Sequence, residues 1–182
     1  KKILLTNVGS KGSVKGSGRY FLITANKRVD YLQWDNSKYL DDSDWWIRSS
    51  SGTEQGKGPG EAALRLMGKM GKSVIIGVKF KTGTWVDNSG KTTWWKQCVQ
   101  VRDIEEAEFH KCKFVGPQEI GRQKDEGGVN QKVGLVEFFN CGFSQLPSIS
   151  VKDSVGEVRF IDCYYIDENG NPTGKTIPDQ TW

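Results

Sequence analysis

The sequence predicts a mostly β protein, and three observations support this fold class. Glycine accounts for 22 of the 182 residues, well above the usual ~7%, as expected of a chain with many tight turns. The 7 Trp, 5 Tyr and 8 Phe belong to residue types that are enriched in strands. Apolar and polar residues alternate along several segments, whereas one stretch alone is interpreted as a helix.

The first predicted strands lie in the N-terminal part of the chain. Alternation predicts strands at Lys2–Val8, Arg19–Asn26 and Val29–Trp34. A fourth, shorter strand is predicted at Asp44–Ser49. It places Trp46 and Arg48 on one face and Trp45 and Ile47 on the opposite face. We expect Trp45 to be a core residue and Trp46 to lie on an open face.

The middle of the chain contains the one predicted helix and a hairpin. Glu61–Met70 is interpreted as a short helix, because its apolar residues lie within about three turns and a glycine follows. Val74–Trp85 and Thr92–Ile104 are predicted strands. The segment Asp87–Gly90 between them predicts a tight turn, since Asn and Gly tolerate a positive φ.

The second half contains an internal repeat. Glu108–Phe114, Glu137–Phe143 and Arg159–Tyr165 share the pattern charged–Phe–x–polar–Cys–x–aromatic, with spacings of 29 and 22 residues. Such a pattern is typical of successive coils of a β-solenoid, for which three copies are the minimum. Ordinary antiparallel strands with a coincidental similarity remain the alternative.

Charge divides the chain into two halves. Residues 1–104 carry 18 Lys and Arg against 9 Asp and Glu, whereas residues 105–182 carry 8 against 13. A basic half joined to an acidic half is typical of a polyanion-binding protein with an acidic appendage. An uneven scatter of charges without functional meaning is the alternative.

Catalysis, metals and cofactors are not expected. A Ser-His-Asp triad would depend on the single histidine, His110, and no Gly-x-Ser-x-Gly motif accompanies it, so we predict a structural role for this side chain. The cysteines form no Cys-x-x-Cys pair, and we expect them to be small buried hydrophobes; they are Cys98, Cys112, Cys141 and Cys163. Reduced thiols and no targeting signal predict an intracellular protein.

Aromatic and basic side chains share faces of the predicted strands. The apolar face of the Val74–Trp85 strand consists of Val74, Ile76, Val78 and Phe80. The opposite face carries Lys79, Lys81 and Trp85. One face of the hairpin partner, Thr92–Ile104, likewise carries Trp94 and Lys96. Exposed rings stack on bases for about 1–3 kcal/mol each, while cations neutralise phosphates. The predicted nucleic-acid-binding residues are Trp46, Arg48, Lys79, Lys81, Trp85, Lys91, Trp94 and Lys96. The competing interpretation is that the tryptophans are core, as we expect for Trp45 and Trp95.

The stretch from Glu61 to Val101 resembles bacterial and phage single-stranded DNA-binding proteins. The shared features are a short helix ending near a glycine, a basic and aromatic segment before an Asp-x-x-Gly hairpin, and a strand ending in alternating valines. The resemblance extends weakly over residues 1–104. It implies an OB-fold, with Trp46 and Trp85 as base-stacking residues and Lys79 and Lys81 facing phosphates. The Ser/Gly run after Arg48, the chain end and residues 105–182 depart from the family pattern.

We therefore expect an OB-like, five-stranded barrel with one short helix over residues 1–104. Residues 105–182 are expected to form an acidic, β-rich and solenoid-like appendage. The predicted function is non-catalytic binding of single-stranded nucleic acid, as in replication; the resemblance favours DNA, and the residues themselves leave DNA and RNA as alternatives. A homo-oligomer and a protein partner bound through residues 105–182 are left open, and no membrane partner is expected, because no stretch approaches ~18 apolar residues. The alternative is a viral or surface structural protein with a small β-helix whose tryptophans bind glycans.

Overall fold

The computed structural model describes residues 1–7, 21–42, 45–48, 62–94, 98–121, 132–149 and 154–182. Within these ranges it contains seventeen strands and one short 3-10 helix, Ser37–Tyr39. The prediction of a mostly β protein is therefore confirmed. In the part of the chain that the structure describes, no helix is long and apolar enough to cross a membrane.

Most of the strands belong to one long sheet of nine strands. Its strands are β1 Lys2–Thr6, β2 Phe21–Asp35, β4 Leu64–Ile76, β8 Val99–His110, β10 Gln118–Ile120, β11 Val133–Phe139, β13 Ser148–Ile149, β14 Val155–Ile161 and β17 Gln180–Thr181. Neighbours pair in parallel, except β14 with β17. Register shifts in the pairing of β4 with β2 and with β8 mark bulges in the sheet.

A second sheet of six strands packs against the first. Its strands are β3 Ile47–Arg48, β5 Lys79–Lys81, β9 Lys113–Val115, β12 Gly142–Phe143, β15 Tyr164–Ile166 and β16 Pro172–Thr176. All pairs are parallel except β15 with β16. The predicted hairpin around Asp87–Gly90 is confirmed as a separate antiparallel pair, β6 Thr84–Val86 and β7 Thr92–Trp94.

The two sheets are the sides of a parallel β-solenoid. In each complete coil a strand of the nine-stranded sheet is followed by two residues, a corner residue and a buried one, and then by a strand of the six-stranded sheet. The corner residue has a left-handed backbone in four successive coils, at Gly77, Lys111, Asn140 and Asp162. The backbone N–H groups of Gly77, Lys111 and Asn140 each donate a hydrogen bond of 2.9 Å to a carbonyl of the next coil. These bonds join successive coils along the stack.

The internal repeat of the second half is three successive coils, as the solenoid interpretation predicted. The repeated phenylalanines Phe109, Phe138 and Phe160 are in register on adjacent parallel strands. The cysteine of each repeat follows the corner and is buried, and its thiol donates to a carbonyl of the preceding coil at 3.3–3.5 Å. The alternative of coincidental antiparallel strands is therefore wrong for these segments.

Stacked aromatic rings form the centre of the core. Ring centroids in the nine-stranded sheet lie 5.2 Å apart between Phe109 and Phe138 and 5.2 Å apart between Phe138 and Phe160. Phe114 and Phe143 stack in the facing sheet at 4.9 Å. The two columns meet edge to face, which is a favoured aromatic geometry.

The predicted helix at Glu61–Met70 is wrong, because Leu64 onward forms strand β4. Within β4 the buried residues Leu64 and Leu66 alternate with the partly exposed Arg65 and Met67. Period two places the two leucines on one face of a strand, whereas on a helix they would point in different directions.

The OB-like barrel over residues 1–104 is not observed in the described residues. An OB barrel is built from antiparallel strands, whereas β1, β2, β4 and β8 pair in parallel as parts of successive coils. The proposed boundary between residues 104 and 105 falls inside β8. Alternation of apolar residues is the same in a hairpin and in stacked coils, so it does not distinguish the two connections.

The predicted core-facing side of the Val74–Trp85 segment is correct only after Gly77. Gly77 has a φ of 64° and reverses the alternation, since the chain turns a corner there. Before it, Ile75 points into the core; after it, Val78 and Phe80 do. Val74, predicted to be a core residue, lies in register with Gln33 and Glu108 on the opposite face of the sheet.

Candidate cation and aromatic face

The outer side of the six-stranded sheet gathers cations around one tryptophan. Because Ile47 and Phe80 point into the core, their neighbours along β3 and β5 point away from it. Register places Arg48 beside Lys81, and Lys79 beside Lys113 of the next coil. We call this surface the Trp46 face; it consists of Trp46, Arg48, Lys79, Lys81 and Lys113.

Two lysines flank the indole ring of Trp46. The Lys79 Nζ lies 5.2 Å and the Lys81 Nζ 6.0 Å from the ring centroid, which is cation–π range. Lys79 also donates to the carbonyl oxygen of Asp42. The prediction that Trp45 is a core residue is confirmed, because Trp45 belongs to the main core, while Trp46 packs outside that core with Val115 and Ile166.

The expectation that Trp46 and Lys79 lie on an open face is wrong. Trp46 is 8% exposed and Lys79 is 2% exposed. The turn between β15 and β16, Asp167–Gly170, covers Trp46, while the Lys79 ammonium group contacts the Trp46 ring and the carbonyl oxygen of Asp42. Gly170 packs so closely that a Cβ there would lie 2.6 Å from Cη2 of Trp46. Alternation along a strand determines which side chains leave the core, but it does not reveal what another segment places over them.

The same turn accepts hydrogen bonds from two lysines of the face. Lys81 Nζ donates to the Glu168 carbonyl at 2.8 Å, and Lys113 Nζ donates to the Gly170 carbonyl at 3.0 Å. Burial and, next, the neighbouring Arg48 charge lower the pKa of Lys81, which the carboxylates of Glu168 and Asp167 partly offset. The face therefore concentrates positive charge in a partly desolvated place.

The turn holds its own shape. The Asp167 carboxylate accepts the backbone N–H groups of Asn171 at 2.8 Å and Asn169 at 2.9 Å, and these bonds keep the pKa of Asp167 below its usual range. The Asp87 turn has the same pattern, with N–H groups of Ser89 and Lys91 donating to one carboxylate oxygen at 2.9 Å.

The remaining predicted site residues belong to the β6–β7 hairpin or lie outside the described residues. The backbones of Trp85 and Trp94 are in β6 and β7, while their side chains are not among those described. Lys91 is exposed at the end of the hairpin turn. Lys96, with the predicted core residue Trp95, falls in the range 95–97 that is not described.

No protein-family model, curated protein or solved structure matches this chain. The assignment of a function therefore depends on the geometry of its surfaces. In the Trp46 face, two ammonium groups flank an aromatic ring and Arg48 lies on the neighbouring strand, and such groups bind anions and planar or ring-shaped ligands.

A second charged cluster lies on the outer side of the nine-stranded sheet. Carboxylate oxygens of Glu106, Glu108 and Glu137 lie within 4.8 Å of one another. Lys72 bridges the first two, with its Nζ 2.7 Å from Glu106, and Arg159 pairs with Glu137 at 3.0 Å. The carboxylates therefore have cationic partners from neighbouring coils.

His110 contacts this second cluster. Its Nε2 lies 2.9 Å from a carboxylate oxygen of Glu108, and its ring stacks on Phe139 with centroids 4.7 Å apart. These contacts support the structural role that the sequence predicted for this histidine.

Sequence reasoning missed Lys113 and the turn at Asp167–Gly170. Lys113 belongs to the first repeat, Glu108–Phe114, in which the pattern singles out only the Phe, the Cys and the final aromatic residue. A signal for the turn was present, because Asp87–Gly90 and Asp167–Gly170 share the pattern Asp-x-x-Gly. What the spacing could not show is that the second turn reaches back across the sheet to a residue more than 120 positions earlier.

Proposed function

We propose that this chain is a non-catalytic module of a viral or surface structural protein, built on a small β-helix, and that its Trp46 face binds an anionic glycan. The observation that carries the proposal is the grouping of four cations on adjacent strands, Arg48 beside Lys81 and Lys79 beside Lys113, with the Lys79 and Lys81 ammonium groups 5.2 and 6.0 Å from the indole ring of Trp46. Fold alone does not imply a function, so the argument depends on this face.

The chemistry of the face suits a charged sugar polymer. The indole ring of Trp46, which is 8% exposed beneath the Asp167–Gly170 turn, presents a flat apolar surface to a sugar ring when that turn moves away. Lysine and arginine donate charge-assisted hydrogen bonds to carboxylate or sulfate groups. The cations lie on adjacent parallel strands, which are about 4.8 Å apart, so they form a short row along the solenoid. A linear polymer running along the stack would meet these cations one after another.

Single-stranded nucleic acid is the second candidate ligand. The observation in its favour is that four residues predicted for that role, Trp46, Arg48, Lys79 and Lys81, lie together in the structure. This candidate does not need an OB barrel. Stacking by Trp85 and Trp94, contacts from Lys91 and Lys96, an intracellular location, a homo-oligomer and a protein partner for residues 105–182 remain predictions that belong to it.

Binding of heparin, neutral dextran and the oligonucleotide dT20, each measured at two salt concentrations, tests the proposal. We expect heparin, a sulfated polysaccharide, to bind and to weaken as salt rises, whereas neutral dextran does not bind. Lys113→Ala should weaken heparin binding about tenfold, the loss expected for one hydrogen bond to a charged group. Lys175→Ala is the matched control, because Lys175 is exposed on β16 outside the Trp46 face.

Each other result identifies a different function. Preference for dT20 over heparin, with the same sensitivity to Lys113→Ala, would assign the face to single-stranded nucleic acid. Equal losses from Lys113→Ala and Lys175→Ala would show that net charge, not the Trp46 face, attracts the polymer. Binding of none of the three polymers would overturn the proposal.

A further inference from the structure

The Trp46 face is occupied by the chain's own acidic turn. Contacts with the Trp46 face hold Asp167–Gly170 in place, among them the bonds from Lys81 and Lys113 to its carbonyls and the packing of Gly170 on Trp46. The turn thus supplies oxygen acceptors to the lysines and a flat backbone surface to the indole. A bound anionic ring would present the same two kinds of contact.

The conformation of this turn does not depend on the Trp46 face. The Asp87 turn has the same hydrogen bonds between its own atoms: the N–H at the fourth position donates to the first carbonyl at 3.0 Å in both turns. The Gly at that position has a φ of 83° in one turn and 85° in the other. Because its internal bonds are sufficient, Asp167–Gly170 can leave the face as an intact unit.

We propose that the Asp167–Gly170 turn is an internal competitor that closes the Trp46 face, and that an anionic glycan binds by displacing it. This inference rests on the proposed function. The lysines donate to neutral peptide carbonyls in the closed state, whereas a sulfate or carboxylate offers charge-assisted bonds that are roughly twice as strong. The apparent affinity is the intrinsic affinity reduced by the fraction of molecules with the turn open.

Two glycine substitutions separate displacement of the turn from general strain. Gly170→Ala introduces a Cβ that would lie 2.6 Å from Cη2 of Trp46, so it disfavours the closed state. Gly174→Ala is the matched control, since Gly174 has a similar φ of 78° but a Cβ there would meet nothing within 4 Å. Both substitutions place an alanine at a positive φ, but only Gly170→Ala also places a Cβ in collision with Trp46.

Lysine acetylation measures opening without any ligand. Mass spectrometry of proteins treated briefly with an acetylating reagent gives the rates at Lys81 and Lys113. We expect both rates to rise roughly tenfold in Gly170→Ala, the effect of a clash that costs about 1.4 kcal/mol, and to stay near wild type in Gly174→Ala. Heparin affinity should rise by a similar factor in Gly170→Ala alone.

Failure of the turn hypothesis and failure of the glycan hypothesis give different results. Unchanged acetylation of Lys81 and Lys113 in a folded Gly170→Ala protein overturns the proposal that the turn is an internal competitor. Raised acetylation with no heparin or dT20 binding overturns the proposed function, and raised acetylation with tighter dT20 binding assigns the face to nucleic acid. If Gly170→Ala does not fold, Glu168→Lys provides the acetylation measurement, because it places a third cation beside Lys81 and Arg48 and leaves the glycine intact. Unchanged acetylation in Glu168→Lys also overturns the competitor.

Discussion

Phe138 lies at the meeting point of the two aromatic columns. Its ring centroid is 5.1–5.7 Å from those of Phe109, Phe114, Phe143 and Phe160. Because the Phe138 ring contacts rings of both sheets, van der Waals contacts and buried apolar area on all its sides stabilise the fold. Its removal would leave a cavity that the neighbouring rings fill poorly.

Phe138→Ala should therefore destabilise the protein by about 3–5 kcal/mol. The next residue, Phe139, provides the control, because it lies half-buried on the outer side of the sheet, stacked on His110. We expect Phe139→Ala to cost clearly less in the free energy of unfolding, measured by denaturant titration. Equal losses for the two substitutions would mean that the stacked rings do not form the main core.

At the level of the element, the corner between the sheets imposes the strictest backbone requirement. The corner residue has a φ of 64° at Gly77, 52° at Lys111, 51° at Asn140 and 53° at Asp162. Gly, Asn and Asp adopt this left-handed conformation readily, whereas an ordinary residue pays about 1–2 kcal/mol. Lys111 is the one lysine at a described corner, and its side chain is exposed.

Lys111→Asn should stabilise the protein by roughly 0.5–1 kcal/mol, because it relieves that strain and leaves the core unchanged. For a chain of this size the melting temperature should rise by about 1–4 °C. Gly77→Ala should act in the opposite direction, since its Cβ would lie 2.7 Å from the Cα of Ser37. A lower melting temperature for Lys111→Asn would show that Lys111 contributes contacts that outweigh the strain.

Across the whole molecule, the thiols report whether the coils unfold together. Cys112, Cys141 and Cys163 lie in three successive coils, and Cys98 precedes the first of these; all four are buried. Burial raises the pKa of Cys98, Cys141 and Cys163, which suppresses the reactive thiolate. The solenoid therefore protects its thiols for as long as the stack stays closed.

We expect Ellman's reagent at pH 8 to modify none of the four thiols rapidly in the native protein and all four in denaturant. Because each coil is stabilised by contacts with its neighbours, the four should become reactive over one denaturant range. Fast reaction of one thiol under native conditions would identify a coil that opens by itself.

Several features of this protein follow from local sequence. The alternation of side chains predicts most strands and separates Trp45 from Trp46, and the Asp-x-x-Gly pattern predicts the hairpin at Asp87–Gly90. The Phe and Cys repeat predicts three coils with the observed register. These properties depend on residues within a few positions of one another, or on a spacing that repeats along the chain, so the sequence alone determines them.

Other features were decided by contacts between distant segments. The parallel pairing of β2, β4 and β8 replaces the expected barrel, because period-two alternation is the same for antiparallel hairpins and stacked coils. The burial of Trp46 depends on a turn at Asp167–Gly170, more than 120 positions away from it. Which strand lies beside another, and what covers an outer face, are set by packing between segments, and no local pattern encodes them.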